Sequence, residues 1–148
     1  MWIFCLGCYF GEILTTNNLR RKNTILVNWC CMSKVIGELV DYLFLHCSMA
    51  QEPWDTVFSL FGIHWVMSRR VVDFFACLQG RMGCHQNSVI WSAFPHCLMW
   101  CLWRERNART FEGCERTLLD LNLNLFQKGF GWMSANFLGF FDYCSVRT

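Results

Sequence analysis

The side chains best suited to organise chemistry in this chain are thiols and imidazoles, and they crowd into one short stretch. Cys30 and Cys31 are followed by a polar turn through Ser33, Lys34 and Gly37, an apolar run, and then His46 and Cys47. A small structural metal site needs this kind of pattern, because zinc takes thiolate sulfur and imidazole nitrogen in a tetrahedron and its ligands come in closely spaced pairs. Just upstream, Arg20, Arg21 and Lys22 form a cationic run with no acidic neighbour, the charge pattern that meets phosphate. The two features side by side point to a compact, metal-organised nucleic-acid module.

The stretch from Thr15 to Cys47 resembles the zinc-binding domain that follows the polymerase domain in reverse transcriptases of plant LINE-type (non-LTR) retrotransposons. There the expected order is C-x2-C, an acidic residue, then H-L-x-x-x-C. Cys30 takes the first ligand position and Cys47 the last, with Glu38, Val40, Asp41, Leu43 and Leu45 fitting the run between them. Ser33 stands where the second cysteine belongs and Tyr42 where the histidine belongs. A hydroxyl and a phenol are poor zinc ligands at neutral pH. Cys31 and His46 are the substitutes at hand, but neighbours in an extended segment point to opposite faces, so Cys30 and Cys31 reach one ion only if the backbone turns sharply. The resemblance thus implies zinc as the cofactor and a depleted donor set that has lost it. Buried free cysteines acting as small hydrophobes are the competing reading.

Further stretches carry the same resemblance. CLMWCLWRERNARTFEGCERT, from Cys97 to Thr117, and WVMSRRVVDFFAC, from Trp65 to Cys77, look like the region downstream of the zinc module in those elements. Coverage runs from about Gly11 to the region of Asp142, and the opening MWIFCLGCYF departs from it. Cys5 and Cys8 form a literal C-x2-C inside that departing segment, an ordinary coincidence in a chain with eleven cysteines. The sequence therefore divides into a poorly matching segment over 1–14, a degenerate zinc-binding-like module over 15–61 and a helical region over 62–148.

Composition narrows the class. At 148 residues the chain is long enough for a domain with a real core. With 54% hydrophobic and 17% aromatic residues, disorder throughout is excluded. A net charge of +2 is too mild to argue for nucleic acid by itself. An odd number of cysteines, with no basic n-region ahead of Glu12, predicts free thiols in a reducing compartment, intracellular and either nuclear or cytoplasmic rather than secreted. Val89 to Trp103 is shorter than the ~20 apolar residues a membrane span needs and carries Pro95 and His96 near its middle, so a core helix is expected there.

Periodicity predicts a mainly α fold, with a short extended arm or small β element around the Cys30–Cys47 module and a helical region after it. Thr15 or Thr16 can cap a short helix through Lys22, and β-branched Ile25 to Cys31 reads as the extended entry. Glu38 to Cys47 and Ser48 to Phe61 read as helices, the second with Trp54, Val57, Phe58 and Phe61 on one face. Ser68 is the expected N-cap of a helix through about Leu78. Gln79 to Asn87 reads as a loop, and a helix from about Ser88 to Thr110 should kink or restart at Pro95. Leu118 to Phe126 fits both strand alternation and a helical stripe, and its helical neighbours favour helix.

Catalysis finds no foothold in the sequence. The acidic residues are scattered singly, with no Asp-Asp pair for a two-metal polymerase site. No G-x-S-x-G, P-loop or G-x-G-x-x-G is present. His46-Cys47, Cys84-His85 and His96-Cys97 are sequence neighbours, which do not face each other on a helix. Arg104, Arg106 and Arg109, after Trp100 and Trp103, read either as a phosphate-binding platform or as the solvated face of a helix neutralised by Glu105 and Glu112. The expectation is a non-catalytic module that in an intact element associates with RNA or DNA, with no membrane and no small-molecule substrate. Its rivals are a metal-free helical protein-interaction domain and a decayed retroelement fragment with no selected function.

Overall fold

The computed structural model describes Thr15, residues 29–35, 37–82 and 88–145, with the backbone alone at 79–82, 88–93 and 132–145. These residues are mainly helical. Helix α1 spans Ser48–Leu60, α2 Val71–Met82, α3 Ser88–Asn107 and α4 Leu118–Ser145, and wider π-helical turns occupy Tyr42–His46 and Ala108–Glu112. The expected extended entry contributes a single bridging residue, Trp29, ahead of the turn at 31–33, and among the described residues there is no strand.

Helix α3 is the hub, in contact with α1, α2, α4 and both π-helical turns. Its sequence explains why. Phe94, Cys97, Leu98, Met99, Cys101 and Leu102 are all buried, so the helix is apolar around much of its circumference, as a helix enclosed by others must be. The neighbour expected over it, the helix carrying Trp54 and Phe58, is there as α1, and α3 runs through Pro95 as one element rather than restarting. Among the described residues no helix is long and apolar enough to cross a membrane. Core residues come from both sides of the expected boundary after residue 61.

An aromatic stack fills the space between α1 and α2. Trp54 lies 5.7 Å from Phe58 and meets the edge of Phe74 at 4.8 Å, and Trp65 stacks on Phe58 at 5.4 Å. Burying an indole requires a partner for its N–H. The first π-helical turn supplies one: Cys47 N–H bonds the Tyr42 carbonyl at 2.7 Å, and the Phe44 carbonyl accepts from Trp54 Nε1, also at 2.7 Å.

One helix start differs from expectation in an instructive way. Helix α2 begins at Val71 rather than next to Ser68, because the Val71 amide donates to the carboxylate of Asp41, 30 residues away, at 2.9 Å. The helix also runs on to Met82, into the expected loop. Leu118 to Phe126 resolves as helix, with Leu121 and Leu125 buried against the core. Here α4 comes very close to α3, since a Cβ on Gly129 would sit 2.9 Å from the Phe94 ring.

Candidate metal centre

The turn after Trp29 is built to present sulfur. Cys30 N–H bonds the Val35 carbonyl at 2.7 Å, Lys34 N–H bonds the Cys30 carbonyl at 2.8 Å, and Lys34 takes a left-handed φ of 61° to close the loop. This folds the amides of Met32 and Ser33 onto the Cys30 sulfur, and converging backbone N–H groups stabilise an anion. Cys47 arrives from the other side, between the first π-helical turn and α1, with the Met49 amide on its sulfur.

The two sulfurs lie 3.9 Å apart and both residues are fully buried. The other two positions of the resemblance come to the same place. Ser33 Oγ and Tyr42 Oη are 3.0 Å apart, and the Ser33 hydroxyl also lies against both sulfurs. Residues 30, 33, 42 and 47 thus form a single closed cluster. The shared thiol proton lets Cys30 ionise well below the ordinary thiol range, because the Cys47 thiol donates to it. Cys47 is pushed up by the same bond and by burial.

Zinc does not fit this donor set. Two thiols are available, but the remaining corners are a hydroxyl and a phenol whose oxygens are engaged with each other, where a structural site wants thiolate or imidazole. The substitutes do not converge. Cys31 turns the opposite way, with its sulfur 3.5 Å from the Arg106 carbonyl and 3.8 Å from Glu38 Oε2, and burial pushes its thiol up. His46 Nε2 lies 3.1 Å from the Arg69 carbonyl at the surface. Among the described residues no three His, Cys, Asp or Glu side chains gather as metal ligands. Arg20, Arg21 and Lys22 lie outside the described residues.

Next to the cluster sits an ion pair that the linear pattern does not single out. Arg106 donates from Nε and Nη2 to Glu38 Oε1 at 3.0 and 2.8 Å, with both side chains wholly buried. Its Nη1 donates to Asn107 Oδ1 at 3.0 Å, and the guanidinium lies 5.1 Å from the Trp103 ring centroid and 5.7 Å from that of Phe111. The expected solvated arginine face is therefore corrected. Arg104 is exposed, but Arg106 is in the core, and Arg109 is only 7% exposed. Arg109 donates to Glu105 Oε1 at 2.8 Å, to the Met32 carbonyl at 3.4 Å and to the Arg116 carbonyl at 2.9 Å. Arg106 and Arg109 tie the end of α3 and the turn after it to the cysteine turn, and their guanidinium groups are engaged by protein.

A signal for this was available. Phe94, Leu98, Cys101, Leu102, Glu105, Arg106 and Arg109 repeat at helical spacing, so the last three continue the buried stripe of α3, and a buried arginine demands a carboxylate. Glu38 and Asp41, the acidic residues between the module's cysteines, were the candidates. No family model, curated protein or solved structure matches the chain.

Proposed function

We propose that this chain is a non-catalytic relative of the retrotransposon reverse-transcriptase zinc-binding module in which a hydrogen-bonded thiol, hydroxyl and phenol cluster stands in place of the metal. The observation that carries the reading is the meeting of Cys30, Ser33, Tyr42 and Cys47 at one point. Those four positions are the ones the resemblance assigns to ligands, and residues up to 17 apart meet there with their polar atoms together. The Glu38–Arg106 pair gives further support, because it joins the acidic residue of the module to the W-R-E-R-N run, the two segments on which the resemblance rests.

In an intact element such a module would associate with RNA or DNA beside the polymerase, and the proposed contact is the cationic run Arg20, Arg21 and Lys22. The alternative is a metal-free helical domain that binds a protein, favoured by Leu119, Leu123 and Phe130, which are exposed on α4. The two readings respond differently to salt. Each phosphate contact steepens the log–log salt dependence of binding by nearly one unit. Replacing Arg20, Arg21 and Lys22 by Gln should flatten the slope for an RNA hairpin by roughly two to three units, and an unchanged slope would remove these residues from the interface.

The metal half is tested by restoring the donors. The Ser33→Cys and Tyr42→His double variant should hold one zinc per chain by mass spectrometry under native conditions and gain stability that a chelator removes, since structural zinc contributes folding free energy. The parent protein should hold none. Stoichiometric zinc in the parent, or none in the double variant when it is folded, would defeat the assignment of these four positions.

A further inference from the structure

We infer that Cys30 and Cys47 are an oxidation site, at which a peroxide converts the buried dithiol into a disulfide that clasps the cysteine turn to the start of α1. The sulfurs are already 3.9 Å apart, so the bond, ~2.05 Å long, needs a closing movement of about 2 Å. No other described thiol competes for either sulfur, because Cys31 faces Glu38 and Arg106. The Met32 and Ser33 amides face the Cys30 sulfur and favour it as the attacking atom. Tyr42 is the remaining titratable group on this face, and its phenol is bonded to Ser33.

The chemistry balances with one peroxide per disulfide. The Cys30 thiol, losing its proton as it attacks, bonds to a peroxide oxygen, the O–O bond breaks, and the departing hydroxide takes that proton to become water, leaving a sulfenic acid. The Cys47 thiol, deprotonating as it attacks, bonds to the Cys30 sulfur and expels the sulfenic hydroxyl as a second water. Both thiols are buried, so the reagent enters when the turn opens. Its exposed rim carries the Lys34–Glu115 contact of 2.9 Å, a weak restraint in water, while the Arg109 bond to the Met32 carbonyl holds the inner side and must also give.

A second buried dithiol provides an internal control. Cys97 and Cys101 share a proton on consecutive turns of α3, so a bridge there would link a helix to itself and restrain nothing. The bridge between Cys30 and Cys47 closes a span of 17 residues and constrains the unfolded chain.

The experiment treats the full chain with hydrogen peroxide and maps disulfides by peptide mass spectrometry without reduction. The expected first product is Cys30–Cys47, with a rise in unfolding midpoint of about 5–10 °C that a dithiol reductant reverses. The Cys97→Ser and Cys101→Ser double variant should keep that rise. The Cys47→Ser variant should stop at a sulfenic acid on Cys30 that a cyclic dione reagent labels. A first disulfide elsewhere, or Cys30 and Cys47 still alkylatable after peroxide treatment, would overturn the proposal, whether or not the nucleic-acid reading holds.

Discussion

Two buried polar assemblies sit side by side beneath the cysteine turn, and they are built on opposite principles. The Cys30–Ser33–Tyr42–Cys47 cluster is made of small groups that share protons at 3.0 to 3.9 Å. The Glu38–Arg106 pair is made of full charges with no exposure. Cys31 lies between them, one residue from the first cluster and in contact with both members of the second. Each group in the first can lose its partner and still be tolerated. In the second, each charge depends on the other, because an ion left alone in the interior has no water to turn to. The first assembly therefore tolerates substitution at its members, whereas the second can lose neither member without penalty.

The largest effect should follow from breaking the ion pair. Arg106→Met leaves Glu38 buried and uncompensated and removes a guanidinium that packs on Trp103 and Phe111, so the destabilisation should reach about 3–5 kcal/mol in urea unfolding. Adding Glu38→Met to that variant should restore much of the loss, since replacing both charges by apolar groups removes the orphan. A double variant as unstable as the sum of the singles would mean that the pair's charges matter less than its shape, and the contrast between the assemblies would fail.

The helical frame was legible because apolar spacing records it locally. Trp54, Val57 and Phe58 on α1 and Leu121 and Leu125 on α4 mark buried faces at the positions their periodicity predicts. The cluster was legible only through the resemblance, which put Ser33 and Tyr42 at ligand positions but could not say that they would bond each other. Features that depend on distant partners were not legible. The start of α2 is set by Asp41 rather than by nearby Ser68. Arg106 looks like a surface residue until Glu38, 68 positions earlier, is brought against it.

A smaller effect is expected in the thiol cluster. Tyr42→Phe removes the phenol from Ser33 and leaves the ring in place, so the loss should be about 1 kcal/mol, the net worth of one neutral hydrogen bond. Ser33→Ala should cost somewhat more, because it also takes the hydroxyl away from both sulfurs, and the double variant little more than Ser33→Ala alone, because both variants remove the Ser33–Tyr42 bond. A loss at Tyr42 as large as that at Arg106 would erase the distinction between the assemblies.

The finest distinction lies in the charge of the thiol cluster itself. In an unfolded chain both thiols hold their protons until about pH 8.5, whereas in the fold the first proton leaves Cys30 at about 6, with the Cys47 thiol as the main cause. Between those pH values the folded protein binds fewer protons than the unfolded chain, so stability should rise with pH across this window and fall away as pH drops through 6. The ultraviolet absorbance of thiolate gives a direct reading. One thiolate should appear with a midpoint near pH 6 in the folded protein, vanish in Cys30→Ser, and shift upward in Cys47→Ala, which keeps the burial of Cys30 but removes its donor. Titration only in the ordinary thiol range would show that the cluster stays neutral at physiological pH. In that case the Met32 and Ser33 amides would hold a thiol in place without charging it, and the cluster would be no more than a hydrogen-bonded plug beside a true ion pair.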